Sequence, residues 1–179
     1  MKKAVFLDRD GVINRSKLVD GVAKPPATLA EVEILDGVID AIKTLKVHNF
    51  IPIVVTNQPD VARGLTSQSQ VDAINTYIGL ITNIEHFYTC FHDDSDMCDC
   101  RKPAPGLINR AATELNLDVT NSYLVGDRWR DIAAGQVAGC QSFFIDYSYP
   151  EKRPEMPFTR VFSLLEAARI MIGEPNVAK

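Results

Sequence analysis

Short apolar runs in this chain stop abruptly at polar or acidic residues, with helical periodicities between them, and that alternation restricts the folds open to it. Ala4–Leu7 ends at Asp8, Ile51–Val55 ends at Thr56-Asn57, and Ser122–Val125 ends at Gly126-Asp127. Each run is short and apolar, as a buried strand is. His86–Cys90 and Gln141–Ile145 read as further strands. Between them, Val38, Ala41, Ile42 and Leu45 fall on one face of a helix over 37–47. Ser67 with Gln70 three residues on is a capping box opening a second helix, with Val71, Ile74, Ile78 and Ile81 as its apolar stripe. Pro105 suits the first turn of a helix over 106–115. A short helix over 130–138 has Gly139 placed to end it in a left-handed conformation, and 162–171 reads as a closing helix. Strand–helix alternation of this kind predicts an α/β fold: a Rossmann-like, mainly parallel sheet flanked by helices.

The 179 residues suit one domain spanning 1–179. Polar stretches at 15–29 and 92–105 are too short to fold as a cap domain, so the expected site is open, with the first stretch as a flap or loop beside it. No apolar run approaches the ~20 residues of a membrane span. Asp8 cuts the first apolar stretch far short of the roughly 7–15 residues of a signal-peptide core, which leads to the expectation of a cytoplasmic protein. The net charge of −4, with dispersed basic residues, argues against nucleic acid as a partner. An open site without an evident dimerisation helix leads to the expectation of a monomer.

Asp8, Thr56-Asn57 and Asp127 all fall just past strand ends, the edge where open α/β sheets bind ligands. Asp8 and Asp10 are two residues apart, so in extended backbone their carboxylates point the same way. Two such anions call for a cation, and Asp127 would complete an oxygen site for Mg²⁺. Asp8 could then attack phosphorus, with Asp10 as general acid and base. Thr56 and Asn57 offer donors to phosphate oxygens, and Lys102 a positive charge. Taken singly, each has an ordinary alternative: a solvated turn for Asp-x-Asp, a cap for Thr56-Asn57, a surface lysine, a helix-start acid for Asp131. Their combination is what points to phosphoryl chemistry. Cys90-x-His92 followed by Cys98-x-Cys100 forms a Cys₃His set of the kind that closes a structural zinc site. Cys140 stands apart and reads as buried and inert.

In order and placement, Phe6-Leu7-Asp8-Arg9-Asp10-Gly11-Val12-Ile13-Asn14, Val54-Val55-Thr56-Asn57-Gln58, Lys102-Pro103 and Gly126-Asp127 with Asp131 resemble the four motifs of the haloacid dehalogenase superfamily of phosphohydrolases. The resemblance covers residues 1 to about 147. Within the superfamily, the chain is similar to the branch of heptose-bisphosphate and histidinol-phosphate phosphatases, which carries a matching zinc loop before its Lys-Pro motif. The resemblance implies Asp8 as nucleophile and Asp10 as acid/base. It implies Mg²⁺ held by Asp8, the Asp10 carbonyl and Asp127, with Asp131 behind them, and phosphate held by Thr56, Asn57 and Lys102. It also implies a cytoplasmic enzyme of carbohydrate metabolism serving lipopolysaccharide biosynthesis.

Gln58-Pro59-Asp60-Val61-Ala62-Arg63-Gly64 resembles the heptose-bisphosphate segment, with Pro59-Asp60 where that family has Ser-Gly. This favours D-glycero-D-manno-heptose 1,7-bisphosphate, losing its 7-phosphate, with Gln58, Arg63, Arg101 and Arg128 as substrate contacts. The short zinc loop is closer to the histidinol-phosphate type, so histidinol phosphate or another sugar phosphate is the alternative. Two further classes are a phospho-acceptor switch and a nucleic-acid 3′-phosphatase. Asp10 argues against the switch, because a base there speeds dephosphorylation, and charge argues against the nucleic-acid enzyme.

Overall fold

A computed structural model of the chain describes residues 1–19 and 21–174. Strand β1 (Lys3–Leu7) is followed by a hairpin of β2 (Lys17–Val19) and β3 (Val22–Lys24), then helix α1 (Val38–Val47), β4 (Phe50–Asn57), α2 (Gln68–Thr82) and β5 (His86–Cys90). The chain continues through α3 (Gly106–Leu115), β6 (Tyr123–Gly126), α4 (Trp129–Ala138), β7 (Gln141–Ile145), β8 (Thr159–Val161) and α5 (Leu164–Met171). Six strands form one sheet in the order β5-β4-β1-β6-β7-β8, and every neighbouring pair is parallel.

A parallel sheet needs both faces covered, and the alternation within β1 explains how. Val5 and Leu7 face a core built with α1, α2 and α5, including Ile42, Leu45, Ile78 and Leu164. Ala4 and Phe6 face a second core with α3 and α4, including Leu107, Ile108 and Ile132. The expected architecture is therefore the observed one: a Rossmann-like sheet between two helical layers.

The local signals behave as their chemistry requires. Ser67 Oγ accepts the Gln70 N–H and Gln70 Oε1 accepts the Ser67 N–H, both at 3.2 Å. Gly139 ends α4 at φ +94°. Of the flap or loop expected over 15–29, the structure has a flap: Lys17–Val19 and Val22–Lys24 pair as an antiparallel hairpin. The edge strand β8 was not expected, its three residues being too few for a periodicity. Among the described residues, no helix is long and apolar enough to cross a membrane.

The chain leaves β1, builds β4 and β5 on one side, and crosses back to place β6 on the other side of β1. Asp8 and Asp127 thus emerge from adjacent strands where the winding direction reverses, the position at which such sheets open a crevice.

Candidate active site

Asp8, Asp127 and Asp131 are all buried, and each offers an oxygen within 4.8 Å of the others. Two glycines make this approach possible. Gly11 has φ +91°, and a Cβ there would lie 2.0 Å from Asp127 Oδ2; at Gly126 a Cβ would meet that of Asp131 at 2.1 Å. Lys102 reaches into the cluster, with Nζ donating to Asp8 Oδ1 at 2.7 Å and to the Val55 carbonyl at 2.7 Å, and standing 2.6 Å from Asp131 Oδ1. Burial opposes the lysine's charge, yet Asp131 and Asp8 push its pKa above the ordinary lysine range.

One ammonium does not balance three carboxylates. Burial, opposed by Lys102 and aided by the Asp131 and Asp10 charges, pushes Asp8 up to about 7. Burial and the charges of Asp8 and Asp131 drive Asp127 well above the carboxylate range. Both Asp127 oxygens are buried without a hydrogen bond of normal geometry, although the Tyr149 hydroxyl is close enough to act on the charge. Buried polar atoms are rarely left so. Three hard oxygen donors, one of them without a hydrogen bond of normal geometry, fit a divalent cation such as Mg²⁺.

The Asp10 side chain does not join this cluster, so the expectation that it points with Asp8 is corrected. Its Oδ1 accepts from Arg9 Nε (3.2 Å) and Asn14 Nδ2 (2.9 Å), and its Oδ2 from Arg9 Nη2 (3.0 Å) and Gln58 Nε2 (2.7 Å). Backbone bonds from Ile13 and Asn14 to the Arg9 carbonyl curl residues 9–14 into a turn, which ends the extended geometry that the Asp-x-Asp spacing suggested. The sequence reading passed over the contacts that Asn14 and the fully buried Arg9 make with Asp10, since neither residue has a spacing signature.

At the end of β4, Asn57 Nδ2 donates to the Lys102 carbonyl at 3.0 Å and its Oδ1 accepts the Lys102 N–H at 3.1 Å, clamping the lysine's backbone. Thr56 and Gln58 are buried and bonded to each other, Gln58 Nε2 to Thr56 Oγ1 at 2.9 Å. The expected contact of Gln58 with substrate gives way to a contact with Asp10.

A cleft of ≈ 280 Å³ opens over Asp8 and Lys102, walled on one side by Ser16 and the residues Val22–Pro25 of the hairpin. The site is therefore flanked rather than bare. Arg63, Arg101 and Arg128 all line it, but each already has a carboxylate. Arg63 grips Asp93 through two bonds of 2.7 and 2.6 Å, Arg101 Nε donates to Asp94 at 2.8 Å, and Arg128 pairs with Glu151 at 2.5 Å. Among the described residues, Lys24 is a cleft cation with no such partner.

Cys90, His92, Cys98 and Cys100 converge beside the cleft. Their sulfur and Nδ1 atoms lie 3.2 to 3.7 Å apart, and all three cysteines are free thiols. Cys140 is buried elsewhere, and burial pushes its thiol up to about 12, as an inert cysteine requires.

A parallel sheet with an acid cluster and a buried lysine at its switch point is the framework of a phosphoryl-transfer hydrolase. A family model described as HAD-hydrolase-like matches residues 99–149. The D-glycero-beta-D-manno-heptose-1,7-bisphosphate 7-phosphatase of Pasteurella multocida (strain Pm70) is 34% identical over 149 residues, covering 77% of this chain and 78% of that protein. The enzyme of the same name from Escherichia coli (strain K12) is 36% identical over 148 residues, covering 75% and 74%. Among solved structures, the D,D-heptose 1,7-bisphosphate phosphatase from B. bronchiseptica, complexed with magnesium and phosphate, superposes with a TM-score of 0.83 at 26% identity, covering 95% of this chain and 98% of that one. The chain belongs to the haloacid dehalogenase-like hydrolases and is a phosphatase.

Proposed function

We propose that this phosphatase removes the 7-phosphate of D-glycero-β-D-manno-heptose 1,7-bisphosphate with Mg²⁺ as cofactor. The observation that carries the reading is the Asp127 carboxylate, buried beside Asp8 and Asp131 with neither oxygen in a hydrogen bond of normal geometry. The identity to two heptose-bisphosphate phosphatases, over three quarters of the chain, supports the choice of substrate.

Asp8 and Asp127, with the Asp10 backbone carbonyl, would hold the metal, and Asp131 would stand behind it. When bound, Mg²⁺ offsets the repulsion between phosphate and carboxylates and draws electron density from phosphorus. Asp8 Oδ attacks phosphorus in line, the bond from phosphorus to the substrate's C7 oxygen breaks, and Asp10 delivers a proton to that oxygen. Asp10, now a carboxylate, takes a proton from water as the water oxygen attacks the aspartyl-phosphate. The phosphorus–Asp8 bond breaks, which frees inorganic phosphate and restores the enzyme. Asn57 and Lys102 contact the transferring phosphate, and Thr56, whose Oγ1 accepts from Gln58 Nε2, keeps its own O–H to donate to it. Arg63, Arg101 and Arg128, with Lys24, face the second phosphate.

Cys90, His92, Cys98 and Cys100 would hold one structural zinc: their sulfur and Nδ1 atoms converge within 3.2 to 3.7 Å as free thiols beside an imidazole, the donor set of such sites. Bound there, zinc would stiffen the loop that delivers Arg101 and Lys102. Residues 1–179 act as one domain, monomeric and cytoplasmic, in the carbohydrate metabolism that feeds lipopolysaccharide.

The test is kcat/KM on heptose 1,7-bisphosphate, histidinol phosphate and hexose phosphates, with Mg²⁺ and with excess chelator. The heptose bisphosphate is expected to lead by at least about tenfold, with turnover lost to chelator. A lead for histidinol phosphate would overturn the substrate, and undiminished turnover in chelator would overturn the metal.

A further inference from the structure

The middle residue of Asp8-Arg9-Asp10 is an arginine with no exposed surface whose guanidinium turns back onto its own neighbour. Arg9 Nε and Nη2 hold the two Asp10 oxygens at 3.2 and 3.0 Å, a fork on a carboxylate from the adjacent residue. The third contact is remote: Nη1 donates to Asn75 Oδ1 at 2.9 Å, and Asn75 Nδ2 donates to Thr89 Oγ1 at 3.2 Å. Asn75 stands on α2 and Thr89 on β5, so Arg9 is tied to two elements outside the strand that carries the acids.

We propose that Arg9, braced by Asn75 and Thr89, is a positioning residue that sets the Asp10 carboxylate for proton transfer to the leaving oxygen. The inference rests on the reading of Asp10 as general acid. Gln58 and Asn14 each hold one Asp10 oxygen by one bond, so a leaving-group oxygen can displace either. Arg9 holds both oxygens, so it keeps the carboxyl plane fixed while one amide is displaced. A lysine in its place keeps the charge but not the fork. Burying a guanidinium is costly, and this one is satisfied only because Asn75 takes the N–H that points away from Asp10.

The test compares two phosphate esters. p-Nitrophenolate leaves without a proton, whereas the C7 alkoxide of heptose 1,7-bisphosphate needs one. Because kcat/KM reports the step that phosphorylates Asp8, the ratio of kcat/KM on the heptose ester to that on p-nitrophenyl phosphate isolates the acid role. Arg9→Lys is expected to lower this ratio by about 10- to 100-fold, within the ~10²–10⁴ of a lost general acid. Asn75→Ala and Thr89→Val, milder changes that keep Arg9, are expected to lower it about three- to tenfold. Thermal unfolding confirms that each variant folds. If Arg9→Lys does not fold, the Asn75 and Thr89 variants decide alone. Equal losses on both esters would mean a merely structural role and would overturn the proposal. Asp10→Asn separates the two layers: an unchanged ratio there sinks the acid reading and this inference with it. A lowered ratio there, but not in the Arg9 or Asn75 variants, sinks only the positioning role.

Discussion

Stripping the metal and raising the pH should destabilise this protein in a way that Mg²⁺ largely reverses. Asp8 is pushed up to about 7, mainly by burial, from 3.8. A carboxyl raised in the native state binds more protons folded than unfolded, so stability falls as pH rises from about 4 through 7 and levels off above. Between pH 5 and pH 8 the loss from Asp8 is about two pKa steps, or about 3 kcal/mol. Asp127 shifts the same way and adds to it. For a chain of this size, 1 kcal/mol corresponds to about 2–4 °C, so the metal-free melting temperature should drop by roughly 6–12 °C. Mg²⁺ stabilises through mass action and should recover most of the drop at pH 8, with little effect at pH 5. Differential scanning fluorimetry in chelator and in millimolar Mg²⁺ measures all four corners. A Mg²⁺ shift as large at pH 5 as at pH 8 would refute the reasoning, because protons and metal would then not share the carboxylates.

Gly11→Ala should abolish Mg²⁺-dependent stabilisation, since its Cβ would sit 2.0 Å from Asp127 Oδ2 and the backbone is at φ +91°; a variant with wild-type response to Mg²⁺ in the same assay would contradict this. Asp146 is held at about 2 by its bond to Arg153, with Arg160 adding to the effect. A depressed acid stabilises above about pH 4 and loses that contribution as pH falls through 2. Its arginines are more than half exposed, so screening trims the value, and Asp146→Asn should cost about 1–2 kcal/mol at pH 7 and almost nothing at pH 2 by urea unfolding. Protein purified without chelator should carry about one zinc per chain by elemental analysis, and Cys98→Ser should lose it together with most of the kcat/KM.

The strand–helix alternation made the sheet legible because period and burial coincide: each apolar run became a strand, β1 stopping at Asp8 as expected, while β4 runs on through Thr56 to Asn57 and β6 takes in Gly126. Asp8, Asp127 and Lys102 were legible for the same reason, as strand-end or loop residues of the right chemistry in the right order. Asp131 was half legible; the helix-start role is real, with its carboxylate accepting the Arg128 N–H at 3.0 Å, but it also pairs with Lys102. Arg9, Asn75 and Gln58 were not legible as one unit, because their bonds join residues 48 to 66 positions apart. Nor could sequence reveal that Asp93, Asp94 and Glu151 already hold the arginines of the cleft, since ion pairing depends on where loops fold back.

The most direct test is single-turnover chemistry on Asp8. Acid quenching during turnover of heptose 1,7-bisphosphate, followed by peptide mass analysis, should find phosphate on Asp8. Asp8→Asn should fold, keep its zinc, and lose turnover by at least about 10³-fold. Near-normal rates in Asp8→Asn, or phosphate trapped on another residue, would contradict the account.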